Sequence, residues 1–330
     1  MRYVPYEELQ AEPSIIVDGA AASGTLLTLS HWPKSGTPEA LGADTSAAIV
    51  FNYLDAPAFH VDADAVSNNH FDEDGLVGIF SMVDAETALA NRRRLIDVAT
   101  AGDFGVYATR EAARMAFTLA AHADEETSPL EKGTFALPYG AQAAVLYRSL
   151  LNVLPRVLAN VDDYRRFWEA EDARLTATER LIDTRVITIE ERAGLDLAIV
   201  RIPTREDMAH PYALHTRTPC SRLLVVHGRR VEVRYRYEGW VQFRSRPVAP
   251  RVDLCPLAQE LNTEERTTGR WVFDGVDAIT PSLHFDGVDA TSLSADAIAS
   301  RVEHHLRTGP PAWNPYLEVR SQKSELRSEK

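Results

Sequence analysis

His70, Asp72 and Asp74 occupy alternate positions of the segment His70-Phe71-Asp72-Glu73-Asp74-Gly75. The segment lies between an alternating apolar and acidic stretch, Phe59 to Val66, and an apolar, helix-like run that begins at Leu76. Imidazole nitrogen and carboxylate oxygen together suit a borderline or hard divalent cation, Mn²⁺ or Mg²⁺. In extended backbone, alternate side chains point to one side, so the three can share one ion. A loop between strand and helix presents such groups at the carboxyl edge of a sheet, and the helix N-terminus favours an anion. Gly75 allows a tight turn into that helix. The same acids can serve as helix caps, and no Glu closes the twelve-residue frame of an EF-hand.

Hydrophobic periodicity defines the elements that must hold these groups in place. Pro13 to Asp18 is an apolar run ending in a carboxylate, and Thr25 to Ser30 is a strand candidate ending at His31. Asp44-Thr45-Ser46 opens a capped helical pattern. Phe59 to Val66 alternates as a strand does, and helical spacing dominates from Ala85 to about Glu191. Near Arg185 the character changes, and runs beginning at Val186, Asp196, Arg222, Arg230 and Trp240 read as strands. Gly228 supplies the tight turn between the third and fourth of these. The hexad FDGVDA at Phe273 and again at Phe285 predicts two similar strand-turn units. The expected architecture is α/β, with a mainly parallel sheet and flanking helices in an N-terminal domain. A helical connector completes residues 1–184. A smaller α+β domain spans 185–320 and closes over the site, and 321–330 is a polar tail.

A length of 330 residues favours two domains, and 45% hydrophobic with 25% charged residues is ordinary for a globular protein. Cys220 and Cys255 are too few for a disulfide framework and lack metal-ligand spacing, which predicts a reducing compartment. The N-terminus has no basic region followed by an apolar stretch, and no window approaches the roughly 18 apolar residues of a membrane helix. A cytoplasmic protein is expected. The net charge of −13 argues against long duplex nucleic acid as a partner. A small phosphorylated substrate stays open, because a bound cation inverts the local field. There is no GxGxxG and no GxxxxGK, so dinucleotide and ATP sites lack their usual signature. Oligomeric state is not written in these residues.

The element from His70 to Gly75, entering a helix, resembles the first motif of the Asp-His-His metal-dependent phosphoesterases. That resemblance implies that His70, Asp72 and Asp74 hold metal. Asp18, ending a strand, resembles the second motif's ligand. Ser30-His31-Trp32 resembles the signature triplet with only the central His31 kept, and the helix after Asp44 resembles the one that commonly follows. Asp103, in Ala101 to Thr109, resembles the ligand of the last motif. In the second domain, Val241 to Arg246 followed by the helix at Leu254 resembles a substrate-binding unit, which implies Arg244, with Arg246 beside it, as phosphate contacts. The order differs from the superfamily, since the His70 element follows the His31 element, and Asn262-Thr263-Glu264-Glu265 stands where a glycine-rich His motif belongs.

The implied ligand set is Asp18, His31, His70, Asp72, Asp74 and Asp103, with His31, Asp72 and Asp74 closest to the chemistry. One or two cations would activate water against phosphorus. Lys34 is a further substrate-binding candidate, and Trp32 and Trp271 can stack on a base. His122 is expected at an exposed helix end, and Arg92-Arg93-Arg94 as a solvated face. Two other readings remain: a metal hydrolase of a substrate without phosphate, and a non-catalytic binding or regulatory protein that keeps a degenerate site.

Overall fold

The computed structural model describes residues 1–316, except Asp207 and Asp289. Four strands, β1 (Arg2–Tyr3), β2 (Ser14–Val17), β3 (Thr25–Leu29) and β4 (Ala65–Ser67), form an all-parallel sheet in the order β1-β4-β2-β3. Ile15, Ile16 and Val17 of β2 are fully buried, the pattern of an interior strand covered on both faces. Burial of that kind stabilises by about 1.5–3 kcal/mol per side chain. The return from β2 to β3 takes only residues 18–24, too few for a helix.

Helices cover this sheet. They are α1 (Ser46–Leu54), α2 (Glu73–Val83), α3 (Ala85–Ala90), α4 (Arg92–Phe104), α5 (Arg110–Ala123), α6 (Tyr139–Ala159) and α7 (Arg165–Asp183). Caps set their starts: Thr45 Oγ1 accepts from Ala48 N, Asp72 Oδ1 from Gly75 N and Thr109 Oγ1 from Ala112 N. Leu76, Val77 and Ile79 of α2 enter the same hydrophobic core as Ile15, Val17 and Val50. At Gly78 an added Cβ would stand 2.5 Å from Val17 Cγ1, so α2 packs on β2 only because that position has no side chain.

A six-stranded mixed sheet follows, in the order β10-β11-β8-β7-β6-β5. Its strands are β5 (Thr188–Arg192), β6 (Leu197–Ile202), β7 (Arg222–His227), β8 (Arg230–Tyr235), β10 (Arg270–Phe273) and β11 (Ser282–Asp286). Helix α8 (Pro211–Arg217) lies between β6 and β7 in sequence. β9 (Arg251–Val252) pairs with β12 (Pro311–Trp313), and α9 (Cys255–Glu264) and α10 (Ala295–Thr308) contribute to the core on one face. The fold class expected from the sequence is the one found.

Local expectations fail in four places. Phe59 to Val66 is a 3-10 turn at Pro57–Phe59 followed by a three-residue strand, because Pro57 and the short segment support only β4. Trp240 to Arg246 is no strand. The chain after β8 turns through Tyr237–Gly239 and runs as a loop whose amides bond to the N-terminal half. His122 is buried at 3% exposure, with Nδ1 2.7 Å from the Thr118 carbonyl. The arginine run is partly engaged, with Arg92 paired to Asp55 and Arg94 to Glu111. The FDG repeats do end paired strands, each followed by a glycine at positive φ. Cys220 and Cys255 are free thiols. The polar tail at 321–330 lies outside the described residues. Among the described residues, no helix is long and apolar enough to cross a membrane.

Candidate metal centre

The carboxyl ends of β2, β3 and β4 meet at one point, and all six sequence-derived ligands stand there. Asp18 follows β2 directly and is held at φ 51°, a left-handed conformation uncommon outside glycine, while 1% exposed. His31 follows β3. His70 and Asp72 lie in the turn after β4, and Asp74 in the first turn of α2. Asp103 sits in the last turn of α4, where the helix dipole disfavours a carboxylate. Gly105, at φ 62°, ends that helix.

His31 Nε2 lies 3.5 Å from Asp18 Oδ1, 3.6 Å from Asp103 Oδ2 and 4.0 Å from Asp74 Oδ2. His70 Nε2 is 2.8 Å from Asp72 Oδ2 and 3.2 Å from Asp18 Oδ2. Two groups of ligand atoms result, Asp18-His31-Asp74 and Asp18-His70-Asp72, with Asp18 in both. The alternate-residue expectation for residues 70–74 is corrected in one respect: Asp74 reaches the cluster from a helix, not from extended chain. Asp72 serves both readings at once. One of its oxygens caps α2 and the other faces His70.

Gly75 is helical, and its role is space rather than a turn. An added Cβ would lie 2.3 Å from Asn68 Nδ2 and 2.6 Å from the Tyr147 hydroxyl. Those two groups hydrogen bond at 3.0 Å and hold the β4–α2 turn, since Asn68 Oδ1 also accepts from His70 N.

His31 Nδ1 lies 2.6 Å from the carbonyl oxygen of Asp44. A carbonyl only accepts, so Nδ1 carries a proton and Nε2 faces three carboxylates. Such an outer partner fixes the tautomer of metal-ligating histidines. Asp74 is fixed as firmly: Ser46 N and Ala47 N, at the start of α1, donate to its two oxygens at 2.6 and 2.7 Å. Ser46 Oγ donates to Asp18 Oδ1 at 2.7 Å.

Asp18 Oδ2, Asp103 Oδ2 and His70 Nδ1 are buried atoms without a well-aligned hydrogen bond. Four carboxylates this close repel unless positive charge joins them. Burial, then the neighbouring carboxylates, raise the Asp74 and Asp103 carboxyls well above the usual range. Asp18 is raised by burial and by Asp72, against His70 and His31. Burial opposes a charge on His70, yet Asp72 and Asp18 push it up to about 11. Burial likewise opposes ionisation of Asp72, but His70 holds it below the ordinary value. Protonation thus offsets the repulsion here, and the donor set fits a divalent cation in the same place.

The chain belongs to a family of unknown function (DUF6687), which it matches over residues 1–317. No curated protein matches it. Membership in the family assigns no activity, so the chemistry must be argued from the site.

The second half contributes what the sequence reading missed. The Tyr237 hydroxyl lies 3.2 Å from His31 Nε2 and accepts from Trp32 Nε1 at 3.1 Å. Trp32 stacks on His70 with centroids 5.0 Å apart. Trp271, by contrast, is a core residue at 2% exposure and reaches no site. Asp44 links the halves, because its carboxylate accepts from Arg244 N and Ser245 N while its carbonyl orients His31. No local motif announces Tyr237 or Asp44, because their partners lie 206 and 200 residues away.

The three expected substrate contacts lie outside the cluster. Lys34 is exposed at φ 60° in the loop after His31. The Arg244 guanidinium lies against Gly42, 3.7 Å from Glu39 and 5.8 Å over the Tyr316 ring. Arg246 lies 3.5 Å from Glu238, itself paired with Arg236, and lines a cavity of about 400 Å³. That cavity shares Asp44 and Phe104 with the surroundings of the cluster. A larger one, about 840 Å³, lies on the six-stranded sheet between His227, Glu232, His284 and Asp286 and shares no residue with it.

Proposed function

We propose that this protein is a divalent-cation-dependent hydrolase of a small phosphoester, a nucleotide or a short oligonucleotide. One observation carries the reading: Asp18, His31, His70, Asp72, Asp74 and Asp103 converge within a few ångströms, with buried acceptor atoms left unmatched. Imidazole beside carboxylate favours Mn²⁺ over Mg²⁺, which prefers oxygen alone. Asp18, common to both ligand groups, would hold two ions together. A bound cation supplies water activation and neutralises charge on phosphoryl oxygens.

The chain's own residues do the rest. Asp44 keeps the His31 lone pair turned inward, and α1 amides keep both Asp74 oxygens in place. Trp32 covers one face of His70 and limits water there. Arg246 and Phe104 offer the cavity of about 400 Å³ to the non-reacting part of the substrate. The likeness to the Asp-His-His phosphoesterases supports the choice of phosphorus. A net charge of −13 disfavours long duplexes and suits a small substrate whose charge the cation offsets.

Elemental analysis of the purified protein, followed by bis-p-nitrophenyl phosphate turnover with and without Mn²⁺, tests the reading. Bound or activating metal with phosphodiester cleavage is expected. Neither metal nor turnover would overturn it.

A further inference from the structure

Tyr237 is the one side chain of the C-terminal half whose hydroxyl touches a residue of the cluster within hydrogen-bond distance, among the described residues. It reaches that position because β8 ends at Tyr235 and the chain turns through Tyr237–Gly239 toward the edge of the parallel sheet. The loop that follows is tied down on both sides of His31: Gln242 N donates to the His31 carbonyl at 2.8 Å, and Arg244 N and Ser245 N donate to Asp44. The ring packs against Trp240, stacked at 5.9 Å, and Phe104, tilted at 5.7 Å, which hold its position.

The hydrogen-bond inventory around that hydroxyl is closed. Trp32 Nε1 is only a donor, so the Tyr237 oxygen accepts from it. Asp44 holds a proton on His31 Nδ1, so in the neutral ring, the form that binds a cation, Nε2 is the acceptor. With the ring neutral, the Tyr237 proton points at His31 Nε2, at 3.2 Å.

We propose that Tyr237 is the protein's hydrogen-bond donor to the phosphoryl group undergoing hydrolysis, an inference that rests on the metal-hydrolase reading. When the lone pair of His31 Nε2 is committed to a cation, the Tyr237 proton loses its acceptor. Trp32 still holds the oxygen, and Trp240 and Phe104 still hold the ring. A fixed O–H donor then stands beside the cluster with no partner in the protein, free for a non-bridging phosphoryl oxygen. Tyr237 makes and breaks no covalent bond and transfers no proton. It stabilises charge that grows as the scissile P–O bond lengthens, as an oxyanion-hole donor does. A group from the second half thereby completes a site that the first half supplies with cation ligands.

The experiment compares Tyr237→Phe with the wild-type full chain in three measurements. These are Mn²⁺ affinity by calorimetry, kcat and KM for bis-p-nitrophenyl phosphate, and inhibition by orthovanadate. The expected result is Mn²⁺ affinity within about threefold, kcat down about 10²-fold with KM nearly unchanged, and orthovanadate binding weakened in step with kcat. Tryptophan emission should shift as well, because Trp32 loses its acceptor. Equal kcat and equal orthovanadate affinity in the two proteins would overturn the role of Tyr237 and leave the metal reading standing. A tenfold or larger loss of Mn²⁺ affinity would also overturn it, since Tyr237 would then act through His31. A wild-type protein that takes up no Mn²⁺ would overturn the metal reading and this inference with it.

Discussion

The carboxyl edge of the parallel sheet and the open face of the six-stranded sheet both gather histidines and acids, but they satisfy them differently. On the six-stranded sheet, His284 Nδ1 meets Ser282 Oγ at 3.0 Å, His227 Nε2 meets the Glu206 carbonyl, and Glu232 pairs with Arg234. Each of these three side chains has a local partner, though His227 Nδ1 is left unmatched, and a cavity of about 840 Å³ lies beside them. At the edge of the parallel sheet four acids converge with no arginine or lysine paired to them among the described residues, and buried oxygens stay unmatched. Cavity size is thus a poor guide to chemistry in this molecule. Unbalanced buried charge is the better one, because a fold sustains that cost only where a ligand or proton offsets it.

The largest effect expected from breaking this contrast comes at Asp18. Asparagine tolerates the left-handed backbone, so Asp18→Asn should keep the fold while removing the charge common to both ligand groups. Mn²⁺-dependent turnover should fall by about three orders of magnitude, roughly 4 kcal/mol. The metal-free variant should melt higher than wild type, because repulsion is relieved. An unchanged metal content would dismiss the cluster as a metal site.

Gly75→Ala sharpens the same point through packing. Its Cβ would press on Asn68 and Tyr147, groups that hold the turn bearing His70. A loss of about 2–3 kcal/mol in urea unfolding is expected, in the range of overpacked cores. A variant as stable as wild type would show that the β4–α2 turn has room to move.

His215 offers a measurement by pH. Burial and the Arg236 guanidinium hold its imidazole down at about 3, and Nδ1 meets the Phe104 carbonyl beside Asp103. In the unfolded chain the ring takes its proton near pH 6.5, whereas the folded protein refuses it until about 3. Its contribution to stability is therefore complete above about 6.5 and is lost as pH falls toward 3, at up to about 1.4 kcal/mol per pH unit. His215→Gln should remove that part of the acid sensitivity. Parallel stability curves for the two proteins would refute the assignment.

The smallest effect belongs to the other sheet. His284→Ala should leave turnover within twofold and stability within about 0.5 kcal/mol, as for ordinary surface positions. A large loss of turnover would move the site to the wide cavity and reverse the contrast.

The six residues that cluster are legible as candidates from residue types and from the resemblance, and so are most of the helices, because periodicity and caps are local. The segment from Trp240 to Arg246, which reads as a strand, is a loop. Its apolar and polar alternation imitates a strand, and nothing local reveals that its amides answer to Asp44 and His31. Trp271 and Trp32 are indistinguishable as letters, yet one fills the core and the other stacks on His70.

What the sequence by itself determined was which side chains carry cation-binding atoms and where most of the helices and strands lie, since both follow from side-chain chemistry and short-range spacing. What only the tertiary structure decided was the convergence: Asp18 brought to His70, Asp103 to His31, and Tyr237 to both His31 and Trp32. Those contacts join residues 52 to 206 positions apart along the chain. They form because the parallel sheet and its helices bury their apolar faces together, and that long-range burial is invisible in any short stretch of sequence.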